Sequence, residues 1–288
     1  MKFFAFFGMI LISISAIAAD FDPSGTWQGV MIRKGTKMKD ASIVYFDFEN
    51  NDGVVTGYSR EEIYDSDLYS LKKVNADLDE NGTLHIRQIA ETKSNKTSRT
   101  TWCRVSASLS YDPKTGYLTG EYVATDCRRV AGDFILYRAD FELPTDGEMP
   151  YTQIWFNQFV KDYAEGLNAP EIRKIERDNF VFEPIFFDYD KYEIREEHEA
   201  FLNSMIKIVK GHSDLRVKVT GHTDSDGSDQ YNDTLSYNRA QAITNYFVKR
   251  GLSPDRLVIE FKGERSPIDT NKNPKGKQRN RRVDFEFI

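Results

Sequence analysis

The sequence predicts a two-domain α+β protein: an N-terminal all-β soluble barrel of about eight strands, then a C-terminal βαβαββ sandwich. Three observations carry this. Short β-rich runs separated by NNDG, DENG and PKTG fill the first half without helical period. From about Asn179 the pattern changes to strands alternating with amphipathic helices. Between the two lies LPTDGEMP, a run of turn and breaker residues that reads as a linker.

The chain has 288 residues, enough for two ordinary domains. It is 40% hydrophobic and 29% charged with a net charge of −6, a globular balance with no global pull toward nucleic acid or anionic membrane. The opening MKFFAFFGMILISISAIAAD has a basic start, an apolar run from Phe3 to Ile14 and a small-x-small site at Ala16-Ile17-Ala18. That pattern reads residues 1–18 as a secretory signal peptide. No cysteine stands near the cleavage site to take a lipid, and no later run approaches the eighteen apolar residues of a spanning helix. The expected location is the periplasm.

Residues 19–142 carry the candidate strands TWQGVMIR, SIVYFDFEN, VVTGYSRE, YSLKKVNADL, TLHIRQIAE, RTTWCRVSASLSYD, YLTGEYVATDC and DFILYRADF. A membrane barrel is excluded by YSLKKVNADL, whose faces Ser70-Lys72-Val74-Ala76 and Leu71-Lys73-Asn75-Asp77 are both unfit for lipid. The hairpin around PKTG sets Cys103 opposite residue 126 or 127, and in an oxidising compartment a Cys103–Cys127 disulfide is expected over free thiols or a metal site. SGTWQG, with Gly25 and Trp27, resembles the G-x-W start of lipocalin-like barrels, with Arg138 placed to stack on the tryptophan. A Trp27 that plugs one end of a filled barrel is favoured over a ligand-binding calyx.

Residues 143–178 read as linker plus one helix, with Trp155, Phe156, Phe159, Val160 and Tyr163 at helical spacing. Residues 179–288 form the second domain. FVFEPIFFDYD reads as a strand, IREEHEAFLNSMIKIVKG as a helix with Phe201, Met205, Ile208 and Val209 inward, and LRVKVTGHTD as a strand. LSYNRAQAITNYFVKRG follows as a helix capped by Gly251, then RLVIEFKG and RRVDFEFI as strands.

On a 100° wheel, Ala242, Leu235, Tyr246, Ile243, Phe247 and Ala240 fill one arc of that second helix, and Arg239 falls in its middle. A guanidinium there needs an anion. The nearest candidate is Asp224, at the end of the preceding strand. Two readings stay open on the pattern alone: an internal Asp224–Arg239 ion pair, or two separated charges that grip the ammonium and carboxylate of one ligand.

FFDYDKYEI, GHTDSDGSDQYNDTLSYNRA and NRRVDFEF, in that order, resemble the OmpA-like C-terminal domain, a peptidoglycan-associating module, over about residues 180–288. The resemblance implies that Asp224 binds the ammonium and Arg239 the carboxylate of diaminopimelate in the stem peptide. It implies that Asn232, Leu235 and Ser236 line the pocket and that Arg281 is a further pocket arginine. Asp190 stands where some family members carry asparagine. The expected partner is therefore peptidoglycan, with an envelope protein or a small apolar ligand at the N-terminal domain. The alternative is a lipocalin-like small-molecule carrier with a cell-wall anchor.

Rival chemistries fit less well. Aligning Gly227 of DSDGSD with an EF-hand glycine puts His222 and Asp233 at the first and last ligand positions, where the frame fails for calcium. NKNPKGKQRNRR holds six basic residues in twelve but no interleaved aromatics, so it reads as a basic rim or a solvated loop, not a nucleic-acid site. His212 and His222 have no nucleophile motif beside them, and no catalytic motif or cofactor is expected.

Overall fold

A computed structural model describes residues 21–51, 54–141, 143 and 153–288. The expected signal peptide at 1–18 and most of the linker at 143–150 lie outside the described residues. The chain divides into two compact units, 1–113 with 117–157, and 114–116 with 158–288.

The first unit is a closed eight-stranded antiparallel barrel. Its strands are β1 (Gly25–Arg33), β2 (Ser42–Asn51), β3 (Val54–Glu62), β4 (Tyr69–Leu78), β5 (Thr83–Asn95), β6 (Val105–Asp112), β7 (Tyr117–Ala124) and β8 (Ala131–Arg138). Each pairs with the next, and β1 closes on β8 from Trp27↔Arg138 to Arg33↔Gly132. Alternate side chains point inward, and Trp27, Phe46, Phe48, Leu109, Phe134 and Leu136 belong to one buried cluster. Closure demands sharp coiling. At Gly29 and Gly57 a Cβ would lie 2.0 and 1.8 Å from a neighbouring backbone oxygen, so only glycine allows the strands to approach.

Trp27 plugs the interior as expected. Its indole N–H donates to Pro23 O at 2.8 Å, and the Arg138 guanidinium lies 4.5 Å from its ring centroid. Trp27 and its neighbours are packed there in one buried apolar cluster. Cys103 and Cys127 are bonded, with Cα atoms 5.8 Å apart, just beyond the paired ends of β6 and β7.

One feature of the barrel departs from a simple alternation. β4 pairs with β5 through register shifts between Leu71 and Lys72 and between Lys73 and Val74. Both Leu71 and Lys72 are buried. The outer face near β2, β3 and β8 is also covered. Residues 153–157 lie on it, with Trp155 Nε1 donating to the Tyr45 hydroxyl at 3.3 Å and Gln153 Nε2 to Glu62 at 2.7 Å.

The second unit has two helices where one was expected before the sheet: α1 (Trp155–Ala164), whose first residues belong to the barrel unit, and α2 (Pro170–Asp178), which starts with a proline in its first turn. Then come β9 (Ile185–Phe186), α3 (Glu199–Lys210), β10 (Val217–Gly221), α4 (Asp229–Lys249), β11 (Leu257–Phe261), α5 (Pro274–Asn280) and β12 (Arg282–Phe287). The sheet order is β11-β10-β12-β9, with β10 parallel to β11 and the other pairs antiparallel.

Three expectations are corrected. The strand at FVFEPIFFDYD shrinks to two residues, because Pro184 cannot extend the ladder and Asp190 takes a left-handed φ of 55°. NKNPKGKQRNRR is not a loop: its centre is α5, with Asn273 accepting from Gly276 N at 2.8 Å as the cap. In α3 the deepest residues are Leu202, Met205, Ile206 and Val209, while Phe201 and Ile208 are only partly buried, a rotation of one position.

Candidate functional site

β10 runs into the turn Gly221–Gly227, and α4 begins after its cap, Ser228, whose side chain accepts from Tyr231 N. This strand–turn–helix places Asp224 in the turn, three residues past the end of the shortened strand, and Arg239 on the inward face of the helix. Asp224 is 3% exposed and Arg239 0%. The wheel therefore located the arginine correctly.

Arg239 donates to three backbone oxygens: Nε to Lys191 at 2.9 Å, Nη1 to His222 at 2.8 Å and Nη2 to Asp188 at 3.2 Å. Asp224 instead pairs with Arg281, Nη1 to Oδ2, at 2.7 Å. Its other oxygen accepts from Asp226 N at 3.2 Å. Of the two readings open on the pattern, the internal Asp224–Arg239 ion pair is not formed: Asp224 is held by an ion pair to Arg281 and Arg239 by a fork of carbonyls.

The Arg239 guanidinium has no carboxylate salt-bridge partner among the described residues. Burial drives its pKa down to about 10, against the attraction of Asp224 and with the repulsion of Arg281. Asp190 and Tyr231 add smaller fields, so Asp224, Arg239, Arg281, Asp190 and Tyr231 form one electrostatic neighbourhood. The Tyr231 hydroxyl donates to Asp190 across 41 positions of sequence, which fastens the Asp188–Lys191 turn beside the start of α4.

The remaining candidates divide. Asn232 is buried, and its amide donates to Glu264 at 2.7 Å. The Ser236 hydroxyl donates to Asp233 O and accepts from Gly263 N at 3.0 Å. These two join α4 to the loop after β11. Leu235 lies half-buried on the helix between them. Thr223 Oγ1 and Asn232 Oδ1 are buried without a hydrogen-bond partner among the described residues.

Sequence reasoning missed the carbonyls of Asp188, Lys191 and His222, which carry no signal in side-chain identity. It also missed Lys277, whose ammonium reaches Asp226 at 2.6 Å, and Gln278, which binds Arg281 and accepts no place in the motif. Helical spacing along α5 to its C-cap, Arg281, would have brought Lys277, Gln278 and Arg281 to one side.

The histidines are ties. His212 has its two ring nitrogens 2.7 Å from Ile208 O and from Arg173 O, and His222 Nε2 lies 3.2 Å from Asp284. Among the described residues, the grouping of ligand atoms close enough for a metal is Cys103, Asp126 and Cys127, whose sulfurs are joined to each other.

Residues 186–281 match the OmpA family. Outer membrane protein A of Bordetella avium is 36% identical over 103 residues, covering 36% of this chain and 53% of that one. The peptidoglycan-associated lipoprotein of Pseudomonas aeruginosa is 35% identical over 101 residues, covering 35% of this chain and 60% of its own. The crystal structure of the peptidoglycan-associated lipoprotein from Burkholderia pseudomallei aligns with TM-score 0.36 and 24% identity over 36% of this chain and 89% of that one. The match thus spans between half and two thirds of the two curated relatives, and the family match does not reach the barrel.

Proposed function

We propose that the OmpA family domain at residues 186–281 binds peptidoglycan non-covalently, by recognising diaminopimelate in the stem peptide, and so holds the barrel at the cell wall. The observation that carries this reading is the buried Arg239 fork, held by carbonyls with no carboxylate salt-bridge partner among the described residues. A guanidinium held that way keeps its full charge for an incoming carboxylate, which can accept from two of its nitrogens at once and more strongly than neutral oxygens do. Asp224, the nearby acid, would take the ammonium on the same carbon, in competition with Arg281. The likeness to a peptidoglycan-associated lipoprotein supports the wall as the source of that ligand.

The function is binding, not turnover, and the location is the periplasm, cell-wall associated.

Sedimentation with purified diaminopimelate-type sacculi tests it. The protein should pellet, and Asp224→Ala and Arg239→Ala should each weaken pelleting about 10- to 150-fold, the loss of one charge-assisted contact. Arg239→Lys, which keeps the charge and loses the fork, guards against a folding defect in the alanine variant. Variants that are folded by circular dichroism and pellet like the parent would end this reading.

A further inference from the structure

Along several strands the barrel interior changes character. β1 goes from Trp27 to Met31 and Arg33, β2 from Phe46 and Phe48 back to Ser42, β3 from Val55 to Glu61, and β7 from Leu118 to Tyr122. The first member of each series is in the apolar core, and the last lines a cavity of about 440 Å³ at the mouth of the barrel away from Trp27. Its walls are Met31, Val105, Tyr122, Val130 and the Cys103–Cys127 bridge. A volume of that size suits a small organic molecule.

The polar floor is built. Glu61 and Lys72 are buried, and Lys72 Nζ donates to Glu61 Oε2 at 2.8 Å and to Cys103 O at 2.7 Å. Glu61 Oε1 has no hydrogen-bond partner among the described residues, and the carboxylate lines the cavity. Lys72 already neutralises Glu61, and Arg33 and Asp40 balance one another on the lining, so a charged ligand would find no net counter-charge. Burial and the charge of Glu61 push the Tyr122 ionisation up to about 12, so its phenol stays neutral beside the same space.

We propose that this mouth binds a small neutral amphiphile, its apolar body against Met31, Val105, Val130 and the disulfide, and an N–H or O–H donor set on Glu61. The site is separate from the Asp224–Arg239 neighbourhood and stands or falls without it.

The probe is N-phenyl-1-naphthylamine, a neutral apolar amine with one N–H, titrated into the full chain and followed by fluorescence. Saturable binding to one site is expected. Thr101→Trp and Val130→Trp, at an exposed and a half-buried position of the cavity wall, should each weaken it at least fivefold by filling the space. Sacculus pelleting should be unchanged in both. The N-methylated probe, which lacks the donor, should bind about tenfold more weakly, the effect of losing a hydrogen bond to a carboxylate. No saturable binding, or less than a fivefold change in both tryptophan variants, overturns the site; equal binding of the two probes overturns the donor assignment.

Discussion

In the barrel, Lys72 is 1% exposed and answers Glu61 directly, while Arg60 answers Glu62 on the covered outer face. In the OmpA family domain, Arg239 is as deeply buried, yet its partners are three backbone oxygens. Direct pairing closes the account of charge within the fold. A carbonyl cage satisfies the N–H groups and leaves the charge unanswered. On the function proposed above, the difference separates charges that hold a structure from a charge kept for a ligand.

The sharpest way to break this comparison is to remove one cation from each region. Lys72→Met strands a buried carboxylate and should cost the barrel about 3–5 kcal/mol in urea unfolding, with the Lys72→Met, Glu61→Gln double variant regaining most of it. Arg239→Met strands only neutral oxygens and should cost less. Equal losses would mean that the two sites are the same kind of structure.

A second, somewhat smaller effect concerns the bridge. Cys103 and Cys127 are separated by 24 positions, and reduction should cost the barrel about 3 kcal/mol through the released loop entropy. The other unit contains no cysteine, so its unfolding should not respond to reductant. A shift in both transitions would show that the two units unfold together.

The smallest effect is the pH dependence that Asp284 contributes to the second unit. Burial raises the Asp284 pKa, but hydrogen bonds and charge from His222 and Arg282 outweigh it and hold the carboxyl below its ordinary 3.8. A depressed acid contributes stability in full above 3.8 and loses it as pH falls through the lower folded value. Asp284→Asn should therefore flatten the acid limb of the stability curve below about pH 4. An unchanged limb would place the acid sensitivity on other carboxylates.

The barrel was legible because turn chemistry is local: NNDG, DENG and PKTG each separate two strands that pair as hairpins. The depth of Arg239 was legible too, since helical period alone places it among Ala240, Ile243 and Phe247. Its partners were not. A backbone oxygen has the same identity at every position, so the role of Asp188, Lys191 and His222 in caging the guanidinium is invisible in residue type. Lys72 shows a different limit: alternation set it on one face with Val74, but the irregular pairing with β5 and the closed barrel decide that this face is the interior. For α5, the count of basic residues hid the proline and asparagine that start a helix.

The cage around Arg239 has a kinetic side. Asp188 and Lys191 lie in a short turn that is permanently tethered beside the guanidinium, so they act as an intramolecular competitor at constant effective concentration. Any carboxylate arriving there performs an exchange, and its measured affinity is the difference between two sets of hydrogen bonds. Asp190, at φ 55° within that turn, loads the competitor with backbone strain. Under the function proposed above, the turn sets a threshold: a carboxylate with a second handhold, such as one for Asp224, should displace it more readily than a lone anion from solvent.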